Sequence, residues 1–231
     1  MRDGGDNAKG VVFNLQAVIF DMDGVIADTE PFHTQTYVEV LKTFGIHVSE
    51  NQYRKAIIED GKTIATWFAE LGGDPAHIDE LYRRKDRIYL PLLRERGAPR
   101  PGLLSLLSGL RESAVACGLA TSARRVNAEF ILDLFDLRQF FAVTLALEDV
   151  TQVKPHPEVF LLSLERLSAQ PHCAVVLEDA PKGIRAAVDA GITVVAVPTP
   201  WTRHYRFEGA ALVVESMEDL SASRLNDLLS K

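Results

Sequence analysis

The sequence predicts an α/β fold: a doubly wound parallel sheet carrying an inserted all-helical domain. Three observations predict it. Short apolar runs recur along the chain, helical patterns separate them, and between residue 30 and about residue 96 the runs stop while the helical patterns continue. A run that is apolar on successive residues and bounded by polar ones suits a strand buried on both faces, as parallel strands are. Alternation of such runs with helices implies βαβ units.

The first run is Ala-Val-Ile-Phe at 17–20, ending at Asp21. Further runs lie at 115–120, 143–147, 174–177 and 192–197, with 211–214 as an edge strand. Helical patterns occupy 102–112, where Leu recurs at 103, 104, 106, 107 and 110, and then 126–135, 157–167 and 182–190. Gly191 closes the last of these as the residue after the helix. The inserted segment has helical patterns near 31–44, 49–58, 63–71 and 76–96, and Pro91 is expected to kink or divide the last one. Pro-containing segments at 28–31 and 98–102 make plausible hinges. The expected organisation is a catalytic core of residues 12–29 plus 101–231, a helical cap of residues 30–100, and a flexible polar lead-in over residues 1–11.

Composition bounds the function. The chain has 231 residues, 47% hydrophobic and 25% charged, which is ordinary globular usage. The formal charge of −7 argues against a nucleic-acid partner. No apolar run reaches membrane-spanning length. The first ten residues hold no signal-peptide core, and Cys117 and Cys173 make no disulfide framework. A soluble, cytoplasmic, monomeric protein is expected, with no membrane partner.

Chemistry gathers at the carboxyl ends of the predicted strands. The first ends in Asp21-Met-Asp23-Gly24, the second in Thr121-Ser122, the third leads to Lys154-Pro155, and the fourth ends in Glu178-Asp179. Ligands bind outside the carboxyl ends of strands in open parallel sheets, so these groups are expected to share one crevice. Several carboxylates together repel one another, and an oxygen-rich carboxylate site is what Mg²⁺ selects. A lysine and hydroxyls beside them suit a phosphoryl group. Asp21 and Asp23, two apart on an extended strand, project to the same side, so one can attack phosphorus while the other handles a proton.

These four ordered motifs resemble those of the haloacid dehalogenase-like hydrolase superfamily, in the subgroup with a helical cap after the first strand. The resemblance lies in Asp21-Met-Asp-Gly-Val-Ile, Leu-Ala-Thr121-Ser-Ala, Val-Lys154-Pro-His-Pro and Leu-Glu178-Asp179-Ala-Pro-Lys-Gly, and it covers residues 15–217. It implies a Rossmann-like core and an aspartyl-phosphate formed on Asp21. It implies that Asp23 acts as acid and base, that Thr121, Ser122 and Lys154 hold the phosphoryl group, and that Mg²⁺ sits on Asp21, the Asp23 backbone carbonyl, Asp179 and, directly or not, Glu178. To donate a proton, Asp23 is expected to have a raised pKa in a water-excluding site.

The resemblance extends to β-phosphoglucomutases and sugar-phosphate phosphatases through Asp28-Thr-Glu-Pro-Phe-His33, which places His33 near Asp23 or substrate. Lys85, within Arg84-Lys-Asp-Arg-Ile-Tyr89, is the expected cap residue on substrate; most of the charge run at 83–87 is expected to be a solvated face. Mutases hold a distal phosphate with an Arg where Ile64 stands here, and Lys62 is the remaining candidate for that grip. The segment 198–207 resembles a loop frequent in phosphatase members. A phosphatase of a small phosphorylated metabolite, such as a sugar phosphate, is therefore favoured over a sugar-phosphate mutase, and intact motifs argue against a non-catalytic binding protein. Gly61-Lys62-Thr63 is not a P-loop, because Ala56 stands where that pattern needs Gly.

Overall fold

The computed structural model describes residues 13–230. The expected lead-in over residues 1–11 lies outside the described residues. Six parallel strands form one sheet in the order β3-β2-β1-β4-β5-β6: β1 Ala17–Phe20, β2 Ala116–Ala120, β3 Val143–Leu145, β4 Ala174–Glu178, β5 Thr193–Ala196 and β6 Leu212–Val213. The doubly wound parallel fold is thus observed. β1 is central, and chain order reverses between its two neighbours, β2 and β4. A crevice opens at such a switch point.

Alternation along β1 builds both faces of the sheet. Val18 and Phe20 join one core cluster, packed with helices α5 (Leu103–Glu112) and α6 (Arg125–Leu134). Ala17 and Ile19 join the other, packed with α7 (Glu158–Leu167) and α8 (Pro181–Asp189). All four β1 residues are fully buried, which is why the run carries no polar position. In α5 the leucine pattern divides as a helix must: Leu103, Leu106, Leu107 and Leu110 face inward and Leu104 faces out.

Residues 30–96 supply α1 (Glu30–Lys42), α2 (Glu50–Tyr53), α3 (Ile64–Glu70) and α4 (Ile78–Arg96). Tyr37, Val40, Leu41, Tyr53, Trp67, Phe68 and Leu81 make a third apolar cluster of their own. After α2 the chain widens through Arg54–Glu59, where the Asp60 N–H reaches back five residues to the Lys55 carbonyl at 2.8 Å.

Two expectations need correction. Pro91 does not divide its helix: α4 runs unbroken from Ile78 to Arg96. Pro91 lies on the exposed side, while Tyr89 and Leu93 on either side of it are fully buried. Burial of those flanks outweighs the one backbone hydrogen bond that Pro removes. Both residues belong to the main core cluster, so α4 spans from the cap's apolar centre to that of the sheet. The second correction is a helix the sequence reading omitted, α9 (Ala222–Asp227), capped by Ser221 accepting from the Arg224 N–H. Leu225 is fully buried in the main cluster.

If α9 is part of that core, Leu225→Ala should lower unfolding free energy by about 2–5 kcal/mol. Urea unfolding measures this, and a midpoint equal to the parent's would show that the helix is a loose appendage.

Candidate active site

The strand ends converge as expected. Register places the residue after Phe20 beside Ala120 on one side and Glu178 on the other, and the Asp21 N–H donates to the Leu177 carbonyl at 3.0 Å. Asp21, Asp23, Thr121, Ser122, Lys154, Glu178 and Asp179 all line one cavity of about 430 Å³. The cap closes its far side with residues 57–61, and the loop after β5 adds Trp201 and Tyr205.

Lys154 is the hub. Its ammonium donates to Asp21 Oδ1 at 2.6 Å, Glu178 Oε1 at 2.8 Å and the Ala120 carbonyl at 3.0 Å. An ammonium has three donors, so all are used within the protein. Glu178 Oε2 accepts the N–H groups of Asp179 and Ala180, at 3.0 and 3.1 Å, fixing the turn into α8. Glycines make room for these acids. A Cβ on Gly24, whose φ is +86°, would fall 2.2 Å from Asp179 Oδ2, and one on Gly183 would fall 1.6 Å from Glu178 Oε1. Thr121 Oγ1 accepts the Ala123 N–H at 3.0 Å, leaving its hydroxyl proton for another acceptor.

The charge count leaves a deficit of cations. Asp21, Glu178 and Asp179 are buried with carboxylate oxygens within 4.8 Å of one another, against the single ammonium of Lys154. Burial pushes the Asp21 carboxyl up to about 7; Glu178 and Asp23 add to the rise and Lys154 opposes it. Burial, then Glu178, Asp21 and Asp23, hold Asp179 well above the usual carboxylate range. The donor set is all oxygen, which fits a hard divalent cation.

Asp23 departs from its expected raised pKa. Burial acts to raise it, but hydrogen bonds from His33 and Thr29, with the His33 charge, outweigh this and pull it down to about 2. Thr29 Oγ1 donates to Asp23 Oδ1 at 2.5 Å, and His33 Nε2 lies 3.3 Å from the same oxygen. Desolvation and Lys85 lower the His33 pKa in turn. A neutral imidazole donating from Nε2 satisfies both groups, and leaves Nδ1 as the buried, unpartnered nitrogen that is seen. Thr29 precedes α1, where a Thr would ordinarily accept a helix N–H, but here its hydroxyl serves Asp23.

Lys62 and Lys85, the two cap lysines expected on substrate, do not line the cavity. Lys62 pairs with Glu70 at 2.6 Å. Lys85 is buried, 3.4 Å above the Tyr89 ring and 3.5 Å from Asp86, and burial lowers its pKa to about 8. The Asn127 amide, oriented with oxygen toward Lys85, accepts from Nζ and donates to Asp86, each at 3.1 Å. Asp86 also takes Arg124 Nη1 at 2.8 Å. This network joins α4 to the start of α6. The contact of Thr29 with Asp23 is not apparent from sequence, although Thr29 stands in the Asp28–His33 hinge. Trp201 and Tyr205 likewise carry no chemical signal in sequence, although they stand in the phosphatase-like loop 198–207.

Comparisons with known proteins agree with this architecture. The family model for haloacid dehalogenase-like hydrolases matches residues 18–197. Protein CbbY from Cereibacter sphaeroides is 31% identical over 89% of this chain and 94% of its own length. A phosphorylated carbohydrates phosphatase from Thermotoga maritima is 34% identical over 77% of this chain and 82% of its own. A crystal structure of a CbbY mutant from Rhodobacter sphaeroides in complex with xylulose-(1,5)bisphosphate superposes with a TM-score of 0.82 at 28% identity, covering 89% of this chain and 96% of that one.

Two outcomes test the charge deficit. A hard divalent cation at a hundredfold excess over its Kd should stabilise the protein by about 2.7 kcal/mol. Gly24→Ala should abolish that gain in a thermal scan, because the methyl displaces the Asp179 carboxylate. The second outcome concerns pH in the metal-free protein. Raising Asp21 from 3.8 to about 7 makes its ionisation oppose folding, a penalty absent below 3.8 and complete above 7. In chelator, Asp21→Asn should therefore resist urea better than the parent at pH 8, with the gap closing toward pH 4. A parent that outlasts the variant at pH 8 would contradict this.

Proposed function

The chain belongs to the haloacid dehalogenase-like hydrolase family, and from that premise we propose that it is a Mg²⁺-dependent phosphatase of a small phosphorylated carbohydrate. The observation that carries this reading is the Asp21 carboxylate, fixed by Lys154 at the mouth of β1, in one cavity with Asp23, Thr121 and Asp179. The phosphatase names of its relatives support the substrate class. A cytoplasmic monomer, with residues 30–100 acting as a cap on residues 12–29 and 101–231, completes the reading; both cysteines are free thiols, as a reducing compartment keeps them.

Asp21 Oδ attacks phosphorus, forming the bond to the carboxylate oxygen as the ester P–O bond breaks. Asp23 supplies the proton that the departing alkoxide takes. In the second step Asp23 takes a proton from water as that water attacks phosphorus, which frees Asp21 and releases inorganic phosphate. With its Thr29 and His33 bonds in place Asp23 is a carboxylate, the form the second step needs. To serve the first step it must carry a proton, which cap closure over a bound phosphate favours by excluding water. The Thr121 hydroxyl, Ser122 and Lys154 orient the phosphoryl oxygens, Lys154 by sharing a donor now given to Asp21 or Glu178. Asp21, Asp179 and the Asp23 carbonyl would hold Mg²⁺, with Glu178 direct or through water. When bound, the ion neutralises charge on the phosphoryl oxygens.

A mutase must grip a second phosphate while its intermediate turns. Ile64 supplies no cation for that grip, and Lys62 lies outside the cavity, paired with Glu70, so hydrolysis is the better reading.

Activity on a panel of sugar phosphates tests the proposal. Chelation should abolish turnover and Mg²⁺ should restore it. Asp21→Asn should lose at least about 10⁴-fold in kcat, as removal of a nucleophile does. Turnover in chelator, or near-parental activity in Asp21→Asn, would sink the reading.

A further inference from the structure

Two buried hydroxyls beside the phosphoryl site have no part in the proposed chemistry. Thr199 and Thr202 stand in the turn after β5, and both are almost fully buried. The Val197 N–H donates to the Glu178 carbonyl at 2.7 Å, so this turn begins beside the end of β4, where Asp179 follows. The N–H groups of Thr202 and Arg203 both donate to the Thr199 carbonyl, at 3.1 and 2.9 Å, and close the turn. Thr199 and Thr202 line the same cavity as Asp179.

Counting protons fixes the direction of the hydroxyl bonds. Thr199 Oγ1 accepts the Trp201 N–H at 3.1 Å, and Thr202 Oγ1 accepts the Thr199 N–H at 3.0 Å. The two hydroxyl oxygens lie 3.2 Å apart, and Thr202 Oγ1 lies 3.4 Å from Asp179 Oδ2. Each hydroxyl has one proton to give. If Thr202 gave its proton to Thr199, the Thr199 proton would have no acceptor among the described residues. If Thr199 gives to Thr202 and Thr202 gives to Asp179, both protons are used. Buried hydroxyls take the arrangement that satisfies them, so this run of donors ends on Asp179.

Asp179 has need of that donor. Among the described residues its carboxylate accepts no other hydrogen bond, and the Lys154 ammonium pairs with Asp21 and Glu178 instead. Those two acids stand beside it and repel it. Rotation about the last bond of an Asp side chain is soft, so a repelled carboxylate with nothing bonded to it turns away. Gly24 makes room for Asp179 Oδ2, and the Thr202 hydroxyl holds that same oxygen. We infer that Thr202 is a positioning residue: its hydroxyl sets the Asp179 carboxylate for a divalent cation shared with Asp21, and the turn after β5 thereby sets the cation affinity of the site. The inference rests on the phosphatase reading and deepens it. Trp201 and Tyr205 of the same segment line the cavity, so one stretch of chain would meet both the cation and the substrate.

Mn²⁺ takes the same octahedral oxygen ligands as Mg²⁺, and its free concentration is read by electron paramagnetic resonance, so titration of the full chain with Mn²⁺ alone measures the affinity. Thr202→Val keeps the side-chain shape and loses the hydroxyl; it should raise the Mn²⁺ Kd by about tenfold, whereas Thr202→Ser should stay within about threefold of the parent. Thr199→Val takes the acceptor from the Trp201 N–H but leaves Thr202 able to donate, so its Kd should also stay within about threefold. A role confined to holding the turn would affect both valine variants alike. If Thr202→Val does not fold, Thr202→Ala lacks the same donor and enters the same comparison. Hydrolysis of sugar phosphates with Mg²⁺ is measured alongside. If esters are hydrolysed but Thr202→Val binds Mn²⁺ as the parent does, or Thr199→Val loses as much affinity as Thr202→Val, the inference falls and the phosphatase reading stands. If Thr202→Val alone loses affinity but no ester is hydrolysed, the phosphatase reading falls and the positioning role stands. If the parent binds no Mn²⁺, both are overturned.

Discussion

One buried ammonium among three carboxylates is the constraint on which the rest of this structure depends. Lys154 joins Asp21, at the end of the central strand, to Glu178, at the end of its neighbour, and touches the Ala120 carbonyl at the end of the other neighbour. It therefore ties together three adjacent strands at the end where the sheet opens. Removing Lys154 from such a cluster would leave its buried carboxylates with no cation at all, so they depend on that one ammonium. Asp179 stands within the same cluster without an ammonium of its own. In the proposed reading, the same deficit that strains the metal-free protein would favour a bound cation and, through it, a phosphate. An acidic chain can in this way take an anionic substrate.

The cap is built into this arrangement more deeply than an inserted segment need be. Tyr89 and Leu93 of α4 are buried in the main core cluster, while Leu81 of the same helix is buried in the cap cluster. A polar seam runs alongside, from Lys85 and Asp86 to Arg124 and Asn127. At the other end, Thr29 and His33 reach from the start of α1 to Asp23. His33 stacks on Tyr89, with ring centroids 4.4 Å apart. Any swing of the cap about this hinge thus moves the groups that bond Asp23. Asp23, the proposed acid and base, and the cap share one set of contacts.

Much of this was legible in the sequence. The strands showed as apolar runs because a parallel strand is buried on both faces, and three of the four motifs stand one step beyond such a run, while Lys154 follows in the loop after the third. The edge strand Leu212–Val213 was faint because its short segment is half exposed. Other features were hidden for stated reasons. Pro91 does not divide α4; local propensity ignores the burial of Tyr89 and Leu93. The helix Ala222–Asp227 was missed because six residues carry too little periodicity, although Ser221 marks its start. The low pKa of Asp23 was not legible at all. It depends on partners 6 and 10 residues away that are brought back by a turn. Charge points to Lys62 and a resembling cap-helix segment points to Lys85, and only the fold shows Lys62 paired with Glu70 and Lys85 set among Tyr89, Asp86 and Asn127.

The central claim is that Asp21 takes the phosphoryl group. Borohydride reduction of protein quenched during turnover, followed by peptide mass spectrometry, tests it most directly, because reduction converts an aspartyl-phosphate to homoserine. The account predicts homoserine at position 21, only with Mg²⁺ and substrate present. Reduction at Asp23, or turnover with position 21 unmodified at every quench time, would contradict it.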